Sequence, residues 1–372
     1  MGMQILITGG AGFIGSHLAD ELLRRGYRVR VLDNLSVQVH GLEHETPPYL
    51  NPEIELVVGD VRDPICLKRS LEGVEAVYHL AATVGVGQSM YEITKYVDCN
   101  NLGTAVLLQT LIEKPVERLI VASSMSIYGE GLYLNPDGTV AAENDRPLEQ
   151  LKIGNWDVCN SVGEALIAAP TPETKTPALS SIYALSKYDQ ERMCLMVGRA
   201  YDIPTVALRF FNVFGTRQAL NNPYTGVIAI FAARLLNGKP PLIFEDGQQQ
   251  RDFVSVHDVV QACRLALEVP TAADQVFNVG NGRPHTILEI AQKLARVLNK
   301  EGLEPLITNK YRAGDIRHCY ADISLACNVL SYKPKTSLEQ GIEEVGYWLQ
   351  DQIAIDRATE ANSELMKRGL VL

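Results

Sequence analysis

The chain has 372 residues, nearly half of them apolar, and a formal charge of −10. That length predicts a large core and two structural units, and the acidity argues against general affinity for nucleic acid while leaving room for a local basic pocket that holds a phosphorylated small molecule. No apolar run reaches the roughly 18 residues of a membrane span, no secretory leader precedes the first strand-like run, and seven scattered cysteines never form Cys-x-x-Cys; a soluble, cytoplasmic protein with reduced thiols, no membrane partner and no metal is the expectation.

The first strand-like run, Gln4–Thr8, breaks into Gly9, Gly12 and Gly15, with Phe13 and Ile14 between, and a helical pattern follows over Ser16–Arg25. Strand, tight turn and helix in this order make a dinucleotide cradle: Gly9 turns the chain, Gly12 admits a pyrophosphate, and Gly15 lets helix pack on strand. Further short apolar runs at Arg28–Leu32, Glu55–Val58, Ala76–His79 and Leu119–Ser123 alternate with helical spacing at Pro64–Leu71 and Leu102–Glu113. The alternation predicts an α/β fold of the Rossmann type, a doubly wound parallel sheet with ligands beyond the carboxyl ends of its strands. Asp33 and Asn34 end the second run at the spacing of a ribose ligand, and an acidic group there favours NAD over NADP. Asp60 and Val61 follow the third run, Leu80-Ala81-Ala82 ends the fourth with room for a flat cofactor, and Asn100 opens the next helix as a cofactor contact or a plain cap.

The fifth run ends in Ser123, Ser124, Met125 and Ser126, hydroxyls that could grip a substrate oxygen or merely bond the local backbone. A partner comes later: Tyr183 and Lys187 stand one turn apart at the start of a helical pattern reaching about Tyr201. A positive charge beside a phenol favours phenolate, which acid–base work near neutral pH requires.

Thr8 to Gly15, Asp33, Ser124 and Tyr183 with Lys187 resemble the extended short-chain dehydrogenase/reductase family of NAD-dependent nucleotide-sugar epimerases and dehydratases, over nearly the whole chain. The resemblance implies that Tyr183 is the acid–base, that Lys187 holds the nicotinamide ribose and tunes Tyr183, and that Ser124 orients the sugar hydroxyl. It also implies that Phe211 borders the nicotinamide, Asn212 contacts the diphosphate, and Arg312 and Asp315 bind phosphate and hydroxyls. Arg251 suits a pyrophosphate clamp through its planar fork, with a surface ion pair to Asp252 as the plain reading. Gly85, Val86 and Ser126 fall where a sugar would sit, and the runs from Gly85, Tyr128 and Asn222-Pro223-Tyr224-Thr225-Gly226 resemble 4-epimerases of deoxysugar nucleotides.

Two departures from the family are informative. Dehydratases carry Asp and Glu after the conserved hydroxyl residue, where this chain has Met125 and Ser126, so water elimination loses its machinery. Ser124 and Tyr183 lie 59 positions apart; the surplus, about 134–180, reads as a lid or rim, and Cys159 alone forms no metal clip. The expected organisation is an NAD-binding unit at 1–210, with 252–280 returning to it, and a smaller substrate unit at 211–372 holding helices Tyr224–Asn237, Ile287–Asn299 and Leu338–Gln350. The tail from Asp351 is charged and helix-prone without recognisable chemistry, and Arg317 has no assigned role. The resemblance implies a homodimer through Leu102–Glu113 and the helix after Tyr183. The expected reaction is NAD-dependent inversion at C4 of a nucleoside-diphosphate sugar. A 2-epimerase, reductase or dehydratase would share the cofactor site, and a nucleotide-sensing protein would be expected to have lost Tyr183 or Lys187.

Overall fold

The computed structural model describes residues 2–41, 46–142, 146–224 and 226–371. Seven parallel strands form the central sheet: β1 (Gln4–Thr8), β2 (Arg28–Asp33), β3 (Glu55–Val58), β4 (Ala76–His79), β5 (Arg118–Ser124), β6 (Thr205–Phe210) and β7 (Val276–Val279). Their spatial order is β7-β6-β5-β4-β1-β2-β3, so the chain reverses direction between β1 and β4, the position where a doubly wound sheet opens a crevice.

Alternation along each strand sends side chains to two separate cores. Ile5, Ile7, Val31, Tyr78 and Ile120 face α1 (Phe13–Arg24), while Leu6, Leu32, Val77 and Val121 face α2 (Gly103–Glu113) and α3 (Ile182–Ala200). The helix Val256–Glu268 covers the first face, and β7 follows it into the sheet. A third core, built on Phe214, Phe231, Phe253, Leu294 and Ile342, belongs to the smaller carboxyl-terminal α/β unit with helices Val227–Leu236, Ile287–Val297 and Leu338–Leu349.

The starts of α1, α2 and the helix Val227–Leu236 differ from the expectation, each for a local reason. The first helix begins at Phe13 rather than Ser16, because the Gly12 carbonyl already accepts from Ser16 N–H at 2.9 Å. Gly226 likewise starts its helix at Val227 rather than Tyr224. A wider turn over Val97–Leu102 precedes α2, so its regular part opens at Gly103 rather than Leu102.

Among the described residues of the segment 134–180, Ser180 lines the cleft and the others lie away from it. Its described part pairs Leu132–Leu134 with Ile167–Ala169 and packs Val158 and Leu166 on Tyr133. Arg317 fastens it to the smaller unit, its guanidinium reaching Asp157 at 3.0 Å, Asp246 at 2.6 Å and Glu245 at 3.3 Å while its side chain is 4 % exposed. The tail forms a helix at Ala358–Lys367. No helix among the described residues is long and apolar enough to cross a membrane, and no disulfide joins their cysteines.

Candidate active site

The strand ends open into a cleft of about 1540 Å³ running from Gly9 to the tail helix. At one end stands the amino terminus of α1. Gly9 has φ +71°, and a Cβ there would lie 2.8 Å from Ala81 N, so the turn requires glycine. No side chain caps the helix, and its first internal bond is made by Ser16 N–H, which leaves the N–H groups of Phe13, Ile14 and Gly15 directed out of the open end. A Cβ on Gly12 would meet only Gly9 O, at 3.4 Å. The cradle thus offers unpaired donors and an open approach, which fits a pyrophosphate.

Asp33 is nearly buried beside this turn. Its Oδ2 accepts from Ala11 N–H and its Oδ1 from Leu35 N–H, both at 3.0 Å, leaving a lone pair on each oxygen for a ribose hydroxyl. Sequence shows no arginine beside Asp33, but the fold brings Arg62 to Asn34 through Asp60. Arg62 binds both Asp60 oxygens at 2.8 Å, which holds that carboxyl down at about 2, and Asn34 Nδ2 donates to the same group at 3.1 Å. Asp60 therefore has its carboxylate engaged and does not line the cleft, whereas Asn34 and Val61 do.

Leu80, Ala81 and Ala82 line the cleft as expected, and Phe211 closes its floor against Tyr128. Two polar residues turn the other way. Asn100 is fully buried outside the cleft lining, its amide bonded to Thr83 N (2.7 Å), Thr83 O (3.1 Å) and Ser186 Oγ (2.9 Å). It ties the loop after β4 to α3 rather than facing a cofactor. Ser123 borders the cleft, but its hydroxyl donates inward to Glu191 Oε2 at 2.6 Å, and Glu191 in turn holds the buried Arg209 at 2.7 and 2.9 Å.

At the centre, the Ser181 hydroxyl caps α3 by accepting from Ala184 N–H, which places Tyr183 in the first turn facing the cleft. The Tyr183 phenol faces Ser124 in the cleft, and Ser126 Oγ donates to the Ser124 oxygen at 2.9 Å. Burial pushes the phenol above its usual value, and the Ser124 hydroxyl pulls it back. The Lys187 ammonium, almost completely buried, donates to Gln190 Oε1 at 2.6 Å; burial lowers it to about 8.

The far end holds the expected substrate groups. Gly85, Val86, Asn212, Arg251, Arg312 and Asp315 all line the cleft. Asn212 Oδ1 is buried without a partner. Arg251 donates to the carbonyls of Gln250, Ile316 and Arg317 and not to Asp252, whose carboxylate accepts from the backbone of Asn281, Gly282 and Ala321. Three of its five N–H donors are thereby used, and the others remain for an anion. Arg312 forks onto both Asp315 oxygens at 2.8 and 3.1 Å, which uses two of its five N–H donors and leaves three. Thr225 lies outside the described residues.

Sequence reading missed the tail. Ala358, Ala361, Asn362 and Leu365 line the cleft, Leu365 lies over Gly87, and Ala313 N–H donates to Leu370 O at 2.9 Å. Arg368 stacks on Tyr91 at 4.3 Å from the ring centre. The only signal in sequence was helix propensity, because every partner lies far away in the chain.

Comparison with known proteins agrees with this geometry. The model of the NAD dependent epimerase/dehydratase family matches residues 5–150 and 161–280. The dTDP-L-rhamnose 4-epimerase of Burkholderia thailandensis is 35 % identical over 95 % of this chain and 96 % of its own. The UDP-glucose 4-epimerase of Thermotoga maritima, solved with UDP-glucose, superposes with a TM-score of 0.75 at 32 % identity, covering 94 % of this chain and 99 % of its own. The UDP-glucuronic acid 4-epimerase of Bacillus cereus, solved with UDP-glucuronic acid and NAD, does so with a TM-score of 0.75 at 27 % identity, covering 94 % and 99 %. The chain belongs to the NAD dependent epimerase/dehydratase family.

Proposed function

We propose that the protein is a nucleotide-sugar 4-epimerase in which Tyr183, Ser124 and Lys187 act on the sugar ring. The observation that carries the reading is the meeting, in one cleft, of an uncapped glycine-rich helix terminus, the Tyr183–Ser124 pair, and Arg251 with Arg312, while Met125 and Ser126 stand where elimination would need carboxylates.

NAD is held by the α1 terminus and Asp33, with Val61, Leu80, Ala81, Ala82 and Phe211 against its rings; bound there, it supplies the hydride acceptor and donor for C4. Tyr183 as phenolate removes the proton of the 4-hydroxyl, which Ser124 orients by hydrogen bond. Lys187 keeps positive charge behind the phenol and on the nicotinamide ribose. The resulting 4-keto sugar turns over inside the cleft, C4 takes the hydride back on its opposite face, and Tyr183 returns the proton to the oxygen. Asn212, Arg251 and Arg312 keep hold of the diphosphate while the hexose rotates, so binding energy from the unreacting part of the substrate keeps the reacting part in place.

Residues 1–210, with the return at 252–280, form the cofactor unit in this reading, and 211–372 the substrate unit. The separate core around Phe231 supports the division. The substrate we favour is dTDP-L-rhamnose or its C4 epimer, dTDP-6-deoxy-L-talose. The first-named relative and the apolar wall of Val84, Val86 and Met125, suited to a deoxy C6, support it. A homodimer through α2 and α3 is supported by Leu102, Ile112, Leu185 and Met196, apolar side chains that these helices and the turn before α2 leave exposed. Incubation with dTDP-, UDP- and GDP-sugars without added reductant, followed by anomeric proton signals, should give a C4 epimer with wild type and none with Tyr183→Phe. No epimer from any sugar, or full activity in Tyr183→Phe, overturns the reading.

A further inference from the structure

Behind the cleft wall, a chain of buried polar side chains runs from the active-site helix to β1. Gln190 takes the Lys187 ammonium on Oε1 at 2.6 Å. Its Nε2 donates to Thr104 Oγ1 at 2.8 Å and reaches His79 Nε2 at 3.2 Å, and His79 Nδ1 lies 2.8 Å from Thr8 Oγ1. Gln190 and Thr104 are 0 % exposed and His79 1 %.

The direction of its first links is fixed by chemistry. An ammonium only donates, so Gln190 must present its oxygen to Lys187, and its amide nitrogen is then committed to Thr104 and His79. Burial and the neighbouring Lys187 charge lower His79 to about 3, so it stays neutral; its Nε2 also lies 2.9 Å from Thr104 Oγ1, whose hydroxyl donates to Asn100 O at 2.5 Å, and His79 thus braces Gln190 either directly or through Thr104. A side chain held at both ends in this way cannot rotate away from the ammonium.

We propose that Gln190, held by Thr104 and His79, is a positioning residue that fixes the Lys187 ammonium without neutralising it. The proposal rests on the roles given above to Tyr183 and Lys187. A glutamine supplies an acceptor but no charge, so the field of Lys187 stays directed at the phenol and the cofactor ribose instead of being spent on a counter-ion. The groups facing Lys187 are few: Tyr183, Cys194 and Glu191 on its own helix, Cys99 from the turn before α2, and His79 from β4. Of these, Glu191 is already committed to Arg209 and Ser123.

Two substitutions separate positioning from simple packing. Gln190→Met removes the acceptor, and Gln190→Glu keeps it while adding charge. The Lys187 titration is read by ¹³C signals of labelled lysine in the protein without added nucleotide, assigned with Lys187→Arg, and pH profiles of kcat and KM are read with the preferred sugar. In Gln190→Glu the titration should rise by about one pH unit or more, the alkaline limb of kcat should move up with it, and kcat at the new optimum should fall about threefold or more, because the added carboxylate draws the Lys187 field away from the phenol. In Gln190→Met the titration should fall, and kcat should drop about tenfold with KM little changed. Thr104→Val, which leaves Gln190 in place but removes one of its supports, should change kcat in the same direction by a smaller factor. Identical Lys187 titrations in wild type, Gln190→Met and Gln190→Glu, or an unchanged kcat in Gln190→Met, overturn the proposal. The titration decides the role of Gln190 even if no sugar is epimerised, so failure of the 4-epimerase reading stays distinguishable from failure of this one.

Discussion

Gly12→Ala and Gly15→Ala test the cofactor cradle because the structure predicts a large effect of one and little of the other on the empty protein. At Gly15 a Cβ would lie 2.5 Å from both Gly9 O and Gly10 Cα, backbone atoms that cannot rotate away. The overlap approaches an ångström against ordinary contact, and helix α1 must lift from β1, at the ~1–3 kcal/mol typical of an overpacked core. At Gly12 the nearest atom is Gly9 O at 3.4 Å, an ordinary contact, and φ is −73°, open to any residue. Reduced freedom in the unfolded chain favours alanine there by about 0.4–1 kcal/mol, and its poorer quality as a helix cap offsets a similar amount. Stability should therefore stay within about 1 kcal/mol of wild type in Gly12→Ala. The new methyl nonetheless stands where the pyrophosphate approaches, so NAD affinity should fall about tenfold or more in both variants. Thermal unfolding of nucleotide-stripped protein and calorimetric titration with NAD measure the two effects separately. Equal destabilisation of both variants, or wild-type NAD affinity in Gly12→Ala, would refute the reasoning.

Other perturbations address the rest of the site. Arg317→Met should destabilise by about 3–5 kcal/mol, since it strands Asp246 and part of the charge on the buried Glu245, and an unchanged denaturation midpoint would show that the cluster holds nothing. Leu365→Ala should raise KM for the sugar nucleotide while NAD affinity stays constant, because the tail borders the substrate end only; a shift in NAD affinity would contradict that placement. Activity should fall as pH rises through about 8, where the buried Lys187 loses its proton and the phenolate its support, and a profile flat to high pH would count against this role. Leu102→Glu combined with Met196→Glu should sediment as a monomer where wild type sediments as a dimer; a dimer persisting in the double variant places the contact elsewhere.

The cofactor half of the molecule was legible in the sequence because its signals are local. Short apolar runs ending in glycine or a small polar residue gave the strands of the sheet, and Tyr183 with Lys187 share one turn of one helix. Helix starts at Gly12 and Gly226 were read late, since glycine contributes only a backbone carbonyl to the cap and leaves no side-chain signature. The inward turn of Asn100 and Ser123 depends on Ser186 and Glu191, which the fold brings up from the next long helix. Charged residues were visible but their pairings were not: nothing in the spacing says that Arg312 forks onto Asp315 or that Arg251 rests on carbonyls. The tail was the largest omission, because Leu365 meets Gly87 only after both structural units have assembled. The described part of 134–180 touches the cleft at Ser180, whereas the tail lines it at Ala358, Ala361 and Leu365.

The central claim is that the ring carbon inverted is C4 and that its hydrogen leaves and returns within one binding event. A sugar nucleotide carrying deuterium at C4, incubated with the protein in ordinary water without added cofactor, tests it directly by NMR and mass spectrometry. The account predicts the C4 epimer with the deuterium retained at C4. An epimer that has exchanged its deuterium for solvent hydrogen, or inversion at another carbon with C4 untouched, would contradict it.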